Sequence, residues 1–375
     1  MQTSDAFAPV HRLARLQDGL RNLDAAGAVL VGSMHGAHLA GYSRYYSGPV
    51  ALVVDRDGQR SLIVPAYEVE AATKHSDADR IVPYGGDGFG LDLEMVPKLI
   101  AAAASVAPAG RLGVASEIAG LGEAIAQSAN GANAETVSLD GLIRDIRLLK
   151  DADEVAAIAR SFGLCLAGQD EVGRLAIEGV REIELFTAAH ATAPNDAGAP
   201  VGFVCDMLVN ARTAEVCCPV RVAGNERLKA GGVVVSDISV GDRGYWGDSA
   251  RTFVGSNEEA AEAYAVISEI LDDAGRALVP GAIASAIFDQ VHDAIVRRLP
   301  GSTFPHHGGH GIGLTSFEDP HLIPGDDTPL QEGMVIAVEP GAYFEGRFGV
   351  RVENAFLVTP EGGIALHELE VASHA

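Results

Sequence analysis

The sequence predicts two domains of different class, a small α/β domain followed by a larger α+β domain, and three observations predict it. A chain of 375 residues with 47% apolar composition is long enough to bury more than one core. In its early part, short apolar runs alternate with helical periodicity, as in α/β domains. After Arg147 to Asp151, long helical patterns are followed by strand-like segments, an α+β order with a largely antiparallel sheet.

Taken in order, Val10 to Leu23 carries helical spacing, and the runs Ala28 to Val31, Val50 to Val54 and Ser61 to Val64 read as strands punctuated by Gly and Asp-Gly. Ser33 to Ser47 holds the polar residues His35, His38, Tyr42 and Arg44, which suit either a surface loop or a reach toward a neighbouring subunit. Leu91 to Val106 is again helical, whereas the Gly/Ala/Asn-rich stretch Gly120 to Asn133 interrupts no obvious core. Lys150-Asp151-Ala152-Asp153-Glu154 opens a long amphipathic helix to about Ile177, its acidic first turn suiting a helix N-terminus. The domains therefore span 1–148 and 149–375. Further helices are expected at about 181–191, 257–278 and 283–299, and strands at 201–209, 232–240, 244–254, 333–339 and 349–358.

Formal net charge is −24, and Lys stands only at 74, 98, 150 and 229, so no basic run could follow a phosphate backbone and nucleic acid is excluded as a partner. Cys165, Cys205, Cys217 and Cys218 form neither a disulfide framework nor a CxxC pair. The chain shows no secretory start and no membrane-length apolar run, so a cytoplasmic protein with no membrane partner is expected. HExxH, GxSxG, GxxxxGK[ST] and GxGxxG patterns are all missing, which argues against a zincin, a serine hydrolase and a nucleotide cofactor.

Five residues stand out on or beside the C-terminal strands. Asp237 ends the apolar Val233-Val234-Val235 strand, and Asp248 follows eleven residues later, a spacing that suits opposite arms of a hairpin. His310 lies in Gly308-Gly309-His310-Gly311-Ile312-Gly313, where glycines allow backbone to approach a crowded site. Glu339 precedes Pro340-Gly341, and Glu353 lies in Val350-Arg351-Val352-Glu353-Asn354. Singly, each has an ordinary explanation as a cap, a turn residue or a solvated side chain. Together they do not, because charges that end apolar runs are expensive to bury without partners. Four carboxylates with one imidazole are what a pair of hard or borderline divalent ions selects.

These segments, with Gly244-Tyr245-Trp246-Gly247-Asp248-Ser249 and Val338-Glu339-Pro340-Gly341-Ala342-Tyr343, resemble the prolidase, aminopeptidase P, methionine aminopeptidase and creatinase superfamily. The match is strong over about 151–370 and weak over Ala28 to Ala72. It implies a C-terminal pita-bread fold, a curved antiparallel sheet covered by helices, behind a smaller creatinase-type N-terminal α/β domain. It also implies a homodimer and two divalent metal ions, manganese, cobalt, zinc or iron. Asp248 and Glu353 would bridge the ions, Asp237 would complete one shell, and His310 with Glu339 the other. Glu339 would be the general base. His306 matches a pocket-lining histidine and is a candidate catalytic and substrate-binding residue, as an alternative to a solvated loop histidine. Arg351 would bind a substrate carboxylate or pair with a ligand carboxylate.

The chain departs from the peptidase pattern twice. Phe317 stands seven residues after His310, and Val220 seventeen before Asp237, where peptidases of this family usually carry histidines. Loss of such a donor can cost about a hundredfold in rate. His307 or His321 could substitute, or Phe317 could rebuild the substrate pocket, its ring face suiting a cationic group; packing of Phe317 in the core is the plain alternative. The expectation is therefore a dinuclear metal-dependent hydrolase of an amide or related C–N bond, resembling Xaa-Pro dipeptidases but with an altered pocket that takes a small molecule or short peptide. The alternatives are an enzyme resembling creatinase, ectoine hydrolase or the sulfoniopropionate lyases, and a peptide-binding module without catalysis. Retention of all five ligands favours the metalloenzyme.

Overall fold

The computed structural model describes residues 12–44, 48–86, 94–215 and 222–369, and these form two compact units divided between Arg147 and Leu148. In the N-terminal unit, α1 (Arg12–Asn22), β1 (Gly27–Val31), α2 (Ser33–Ala40), β2 (Ala51–Asp55), β3 (Arg60–Pro65), α3 (Val69–His75), β4 (Arg80–Tyr84), α4 (Met95–Ala104), β5 (Leu112–Ser116), α5 (Leu121–Asn130), β6 (Thr136–Ser138) and α6 (Asp140–Leu148) follow one another. The sheet order is β4-β3-β2-β1-β5-β6. β1 is antiparallel to β2 and parallel to β5, and every one of its residues is buried, as a central strand covered on both faces requires. Side-chain alternation sends Ala28 and Leu30 into one core and Val29 and Val31 into another on the opposite face.

Within Ser33 to Ser47, the part from Ser33 to Tyr42 departs from a surface loop, Arg44 is exposed, and 45–47 lie outside the described residues. Ser33–Ala40 is helix α2, with His35 and His38 buried; Tyr42 is buried too, its hydroxyl donating to Glu68 Oε2 at 2.6 Å. The Gly/Ala/Asn-rich stretch likewise forms α5, which buries Leu121, Ile125 and Ala126.

The C-terminal unit starts from α7 (Ala152–Leu175), which Asp151 opens by accepting from the Glu154 N–H while Glu154 accepts from its own, a reciprocal capping box. Val155, Ile158, Phe162, Cys165 and Val172 share its buried face, each large side chain stabilising by about 1.5–3 kcal/mol. α8 (Glu182–Ala197) packs beside it, over the antiparallel sheet of β7 (Gly202–Val209), β8 (Val233–Asp242) and β9 (Tyr245–Val254). Buried Gln169 ties α7 to this sheet, donating to the Ser236 and Ser249 carbonyls at 3.0 and 2.7 Å. The Arg243-Gly244 turn between β8 and β9 has both φ angles positive, 50° and 90°, the primed geometry that matches strand twist.

A second layer holds α9 (Glu258–Ala277) and α10 (Ala284–Arg298), followed by β10 (Gly309–Gly311), β11 (Glu318–Leu322), β12 (Val335–Val338), β13 (Gly341–Phe344), β14 (Phe348–Arg351), β15 (Asn354–Thr359) and β16 (Gly362–Ala365). Five of these strands form the sheet β11-β10-β12-β15-β16, and β13 pairs with β14. The expected single strand over 349–358 is two, because β14 pairs with β13 while β15 pairs with β12 and β16. Val352 and Glu353 occupy the break. No helix among the described residues is long and apolar enough to cross a membrane.

Candidate metal centre

Strand register brings the acidic residues together. Asp206 pairs with Asp237 across β7 and β8, and Ser239 pairs with Asp248 across β8 and β9. Residues two apart on a strand share a face, so Val204, Asp206, Asp237, Ser239 and Asp248 all point the same way. A one-residue slip would turn the whole set over. Ser239 fixes Asp248 by donating to its Oδ1 at 2.9 Å.

The opposite wall comes from the second layer. His310 sits at the centre of β10, where Gly309 has φ of +152° and a side chain on it would lie 2.0 Å from the Ala337 carbonyl oxygen. A Cβ at position 311 would lie 2.2 Å from the Asp319 oxygen, so both glycines are needed for β10 to fit between β11 and β12. Glu339 follows β12 and is held by its own N–H donating to the Gly308 carbonyl at 3.0 Å. In the break between β14 and β15, the Glu353 N–H donates to Ala250 of β9 at 2.9 Å.

Asp237, Asp248, Glu339 and Glu353 line one cavity of about 110 Å³, together with Asp206, Ser239, Arg351, His306, His307, Ser316, Phe317 and Val204. His310 Nε2 stands 4.0 Å from Asp248 Oδ2, 3.6 Å from Glu339 Oε1 and 4.0 Å from Glu353 Oε1. Asp248, His310 and Glu353 each offer an atom within 4.8 Å of the others, and all three are buried. Asp237 is instead engaged by Arg351 Nη1, which also lies 3.5 Å from Asp206 Oδ2. Of the two roles weighed for Arg351, pairing with a carboxylate of the cluster is the one this geometry displays.

His306 has both ring nitrogens occupied. Its Nδ1 lies 2.8 Å from the His307 carbonyl and must donate to it, so Nε2 accepts from the Tyr343 hydroxyl at 2.7 Å. Tyr343 Oη in turn accepts from Arg351 Nε at 2.8 Å. A continuous run of hydrogen bonds thus links His306 to Asp237. His321 lies elsewhere: it is on β11, more than a third exposed, 3.3 Å from Asp319, and does not line the cavity. Val220, like Cys217 and Cys218, lies outside the described residues.

Phe317 is 52% exposed, which removes the core-packing alternative. Its ring stacks on His310 with centroids 4.1 Å apart and meets His307 edge-on at 5.5 Å. Glu318 anchors this corner: it forms a buried ion pair with Lys150 at 3.3 Å and accepts the Thr315 N–H at 3.2 Å.

Electrostatics fit a cation here. Burial, and then the neighbouring Asp237, push Glu339 up to about 8, and burial with the adjacent carboxylates pushes Asp248 and Glu353 well above the ordinary range. Burial holds the His310 imidazole down at about 3, so it is neutral and available as a ligand. Arg351 is the cationic side chain lining the cavity, against five carboxylates. His310 Nε2 and Glu353 Oε1 are buried without a hydrogen-bond partner. Orphaned donors of this kind, in an oxygen-rich set with one imidazole, suit a divalent ion.

The model of metallopeptidase family M24 matches residues 156–360, more than half of the chain. The chain belongs to this family. Residues 12–149 match the creatinase/prolidase N-terminal domain. An uncharacterized peptidase of Staphylococcus aureus (strain bovine RF122 / ET3-1) is 28% identical over 361 residues, covering 94% of this chain and 97% of the relative. The prolidase of Pyrococcus horikoshii OT3 has the same fold at a TM-score of 0.79, with 23% identity over 96% of this chain and 98% of that one. The Xaa-Pro dipeptidase of Bacillus anthracis superposes at 0.78, with 23% identity and the same coverage of both chains. The fold is therefore the pita-bread domain behind a creatinase-type N-terminal domain, and this M24 chain is a metal-dependent hydrolase that uses divalent metal.

Asp206 and Tyr343 escaped the reading of the sequence as site residues. Asp206 had a signal, a single carboxylate inside the apolar strand Phe203 to Val209. Tyr343 had only its place two residues beyond Gly341.

Proposed function

We propose that this M24 hydrolase cleaves an amide or related C–N bond with two divalent ions, acting on a short peptide or small amide that resembles an Xaa-Pro dipeptide but fits a pocket altered at Phe317. The observation that carries the reading is that Asp237, Asp248, Glu339 and Glu353 line one cavity with His310 Nε2 3.6 Å from Glu339, and that His310 Nε2 and Glu353 Oε1 are buried without a hydrogen-bond partner. In this reading Asp248 and Glu353 would be shared by the two ions, Asp237 would hold one, and His310 and Glu339 would hold the other. The names of the prolidase and the Xaa-Pro dipeptidase with the same fold support the substrate class. The reading includes a cytoplasmic homodimer and domains at 1–148 and 149–375.

Bound divalent ions supply Lewis acidity and lower the pKa of water into the neutral range. Glu339, whose carboxylate is raised by burial, takes the water proton and passes it to the leaving amine. Arg351 keeps Asp237 oriented, and the Tyr343 and His306 hydrogen bonds keep Arg351 in place. The exposed Phe317 ring presents an apolar face at the cavity, where an imidazole would have offered a donor to the scissile carbonyl.

A metal-supplemented screen against dipeptides, N-acylated amino acids and small guanidino or betaine compounds tests this. The expected result is chelator-sensitive cleavage of an amide-type substrate, with weak turnover of Gly-Pro and Ala-Pro. Robust turnover of those two would refute the altered pocket, and cleavage that survives full metal removal would refute the mechanism.

A further inference from the structure

His307 has no part in the roles above, yet it lies against the centre. Its Nδ1 is buried without a hydrogen-bond partner and stands 3.1 Å from Glu339 Oε1. The Nε2 of His310, also unpartnered, stands 3.6 Å from the same oxygen. Two imidazole nitrogens thus converge on one carboxylate oxygen, and neither makes a hydrogen bond there. The rings are inclined at 68° with centroids 5.6 Å apart, so they approach that oxygen from different directions.

Each of the two nitrogen-to-oxygen separations is close to that of two ligands on one ion. Donors about 2.1 Å from a common ion lie roughly 3.0 Å apart at a right angle and roughly 3.4 Å apart at the tetrahedral angle. At 3.1 Å Nδ1 and the Glu339 oxygen are within hydrogen-bond distance, yet no hydrogen bond joins them. A buried ring nitrogen and a carboxylate oxygen this close without a hydrogen bond suit an ion that both groups share. Phe317 touches both imidazoles, stacked on one and edge-on to the other, and so holds the pair in this attitude.

We infer that His307 Nδ1 supplies a second imidazole to the divalent ion held by His310 and Glu339, making that position nitrogen-rich and selective for zinc or cobalt over manganese. The selectivity follows because imidazole suits borderline ions, while sets of oxygen donors suit manganese. The inference rests on the metal-centre reading and adds a ligand to it.

X-ray absorption at the zinc edge on the full-length, zinc-saturated protein, multiplied by the zinc content from elemental analysis, counts imidazoles per chain. Two are expected in the native protein and one in His307→Ala. The variant is also expected to lose at least tenfold in zinc affinity by chelator competition, no less than the loss of an outer partner of a metal ligand costs. Its manganese affinity should change less, and its cobalt-loaded visible spectrum should shift. A native count of one, or a cobalt spectrum and zinc affinity unchanged in His307→Ala, overturns the role of His307. Should that variant fail to fold, the native count decides. A native protein that takes up neither zinc nor cobalt overturns the metal-centre reading instead.

Discussion

Asp248 and Glu353 are buried carboxylates close to His310 Nε2, and neither faces a lysine or arginine within the cavity other than Arg351, which is committed to Asp237. Truncating either to Ala removes a proposed bridge between the ions, so elemental analysis of the purified variants should find metal occupancy abolished. Normal loading in either variant would rule out the bridging role. Phe317 offers the complementary gain of function. Phe317→His restores a donor at the cavity wall, and one such donor is worth about a hundredfold in rate. Turnover of Gly-Pro should rise by one to two orders of magnitude; a rate equal to that of the native protein would show that the ring does not set substrate choice. The double variant with Glu353→Ala, assayed in parallel, should show no gain.

Elements with strong periodicity were legible, and those fixed by tertiary pairing were not. The helices over 152–175, 258–277 and 284–298 and the strands of the β8–β9 hairpin fall within a few residues of their expected limits, because a long apolar face or alternation leaves little choice. The break at Val352 and Glu353 was not legible. The run from Gly349 to Val358 is locally one strand, and only the competing partners of β14 and β15 divide it. α2 escaped because eight residues show too little periodicity, and because its histidines, polar by type, are buried. The sequence singled out the five residues that meet around the cavity, Asp237 and Glu339 as charges after apolar runs and His310 from its flanking glycines, but not Lys150 and Glu318, whose pairing spans 168 residues. That pair tests how the corner bearing Phe317 is held. Lys150→Met strips Glu318 of its ammonium partner in a setting where both side chains are no more than 5% exposed, a loss that costs about 3–5 kcal/mol. Chemical denaturation of the metal-free protein should report it, and Lys150→Met with Glu318→Met should recover most of it. A single variant as stable as the native protein would mean the pair carries no weight.

At the scale of the molecule, the two units should answer to opposite changes in pH. Burial first, then His38 and Arg147, hold His35 of the N-terminal unit at about 4. Unfolded, this imidazole titrates near 6.5, so below that value the unfolded chain takes up a proton that the folded one refuses. Its contribution is present above about pH 6.5 and is lost as the pH falls toward 4, by about 3 kcal/mol at the lower end. The metal-free C-terminal unit behaves otherwise between pH 8 and 6.5. Glu339, raised to about 8 by burial and Asp237, is protonated more readily folded than unfolded, so its stabilising contribution diminishes as the pH rises through that range. Below 6.5 the depressed His310 begins to oppose this gain. Hydrogen exchange resolved by segment separates the two units. In the metal-free protein, lowering the pH from 8 to 6.5 should increase protection in β8, β9 and β12 and leave β1 and β2 unchanged after correction for intrinsic rates, whereas a further step to 5 should loosen β1 and β2. Adding metal at a hundred times its dissociation constant should stabilise the C-terminal strands by about 2.7 kcal/mol. His35→Gln should abolish the loosening of β1 and β2, and acid loosening that persists in that variant would assign it to another group.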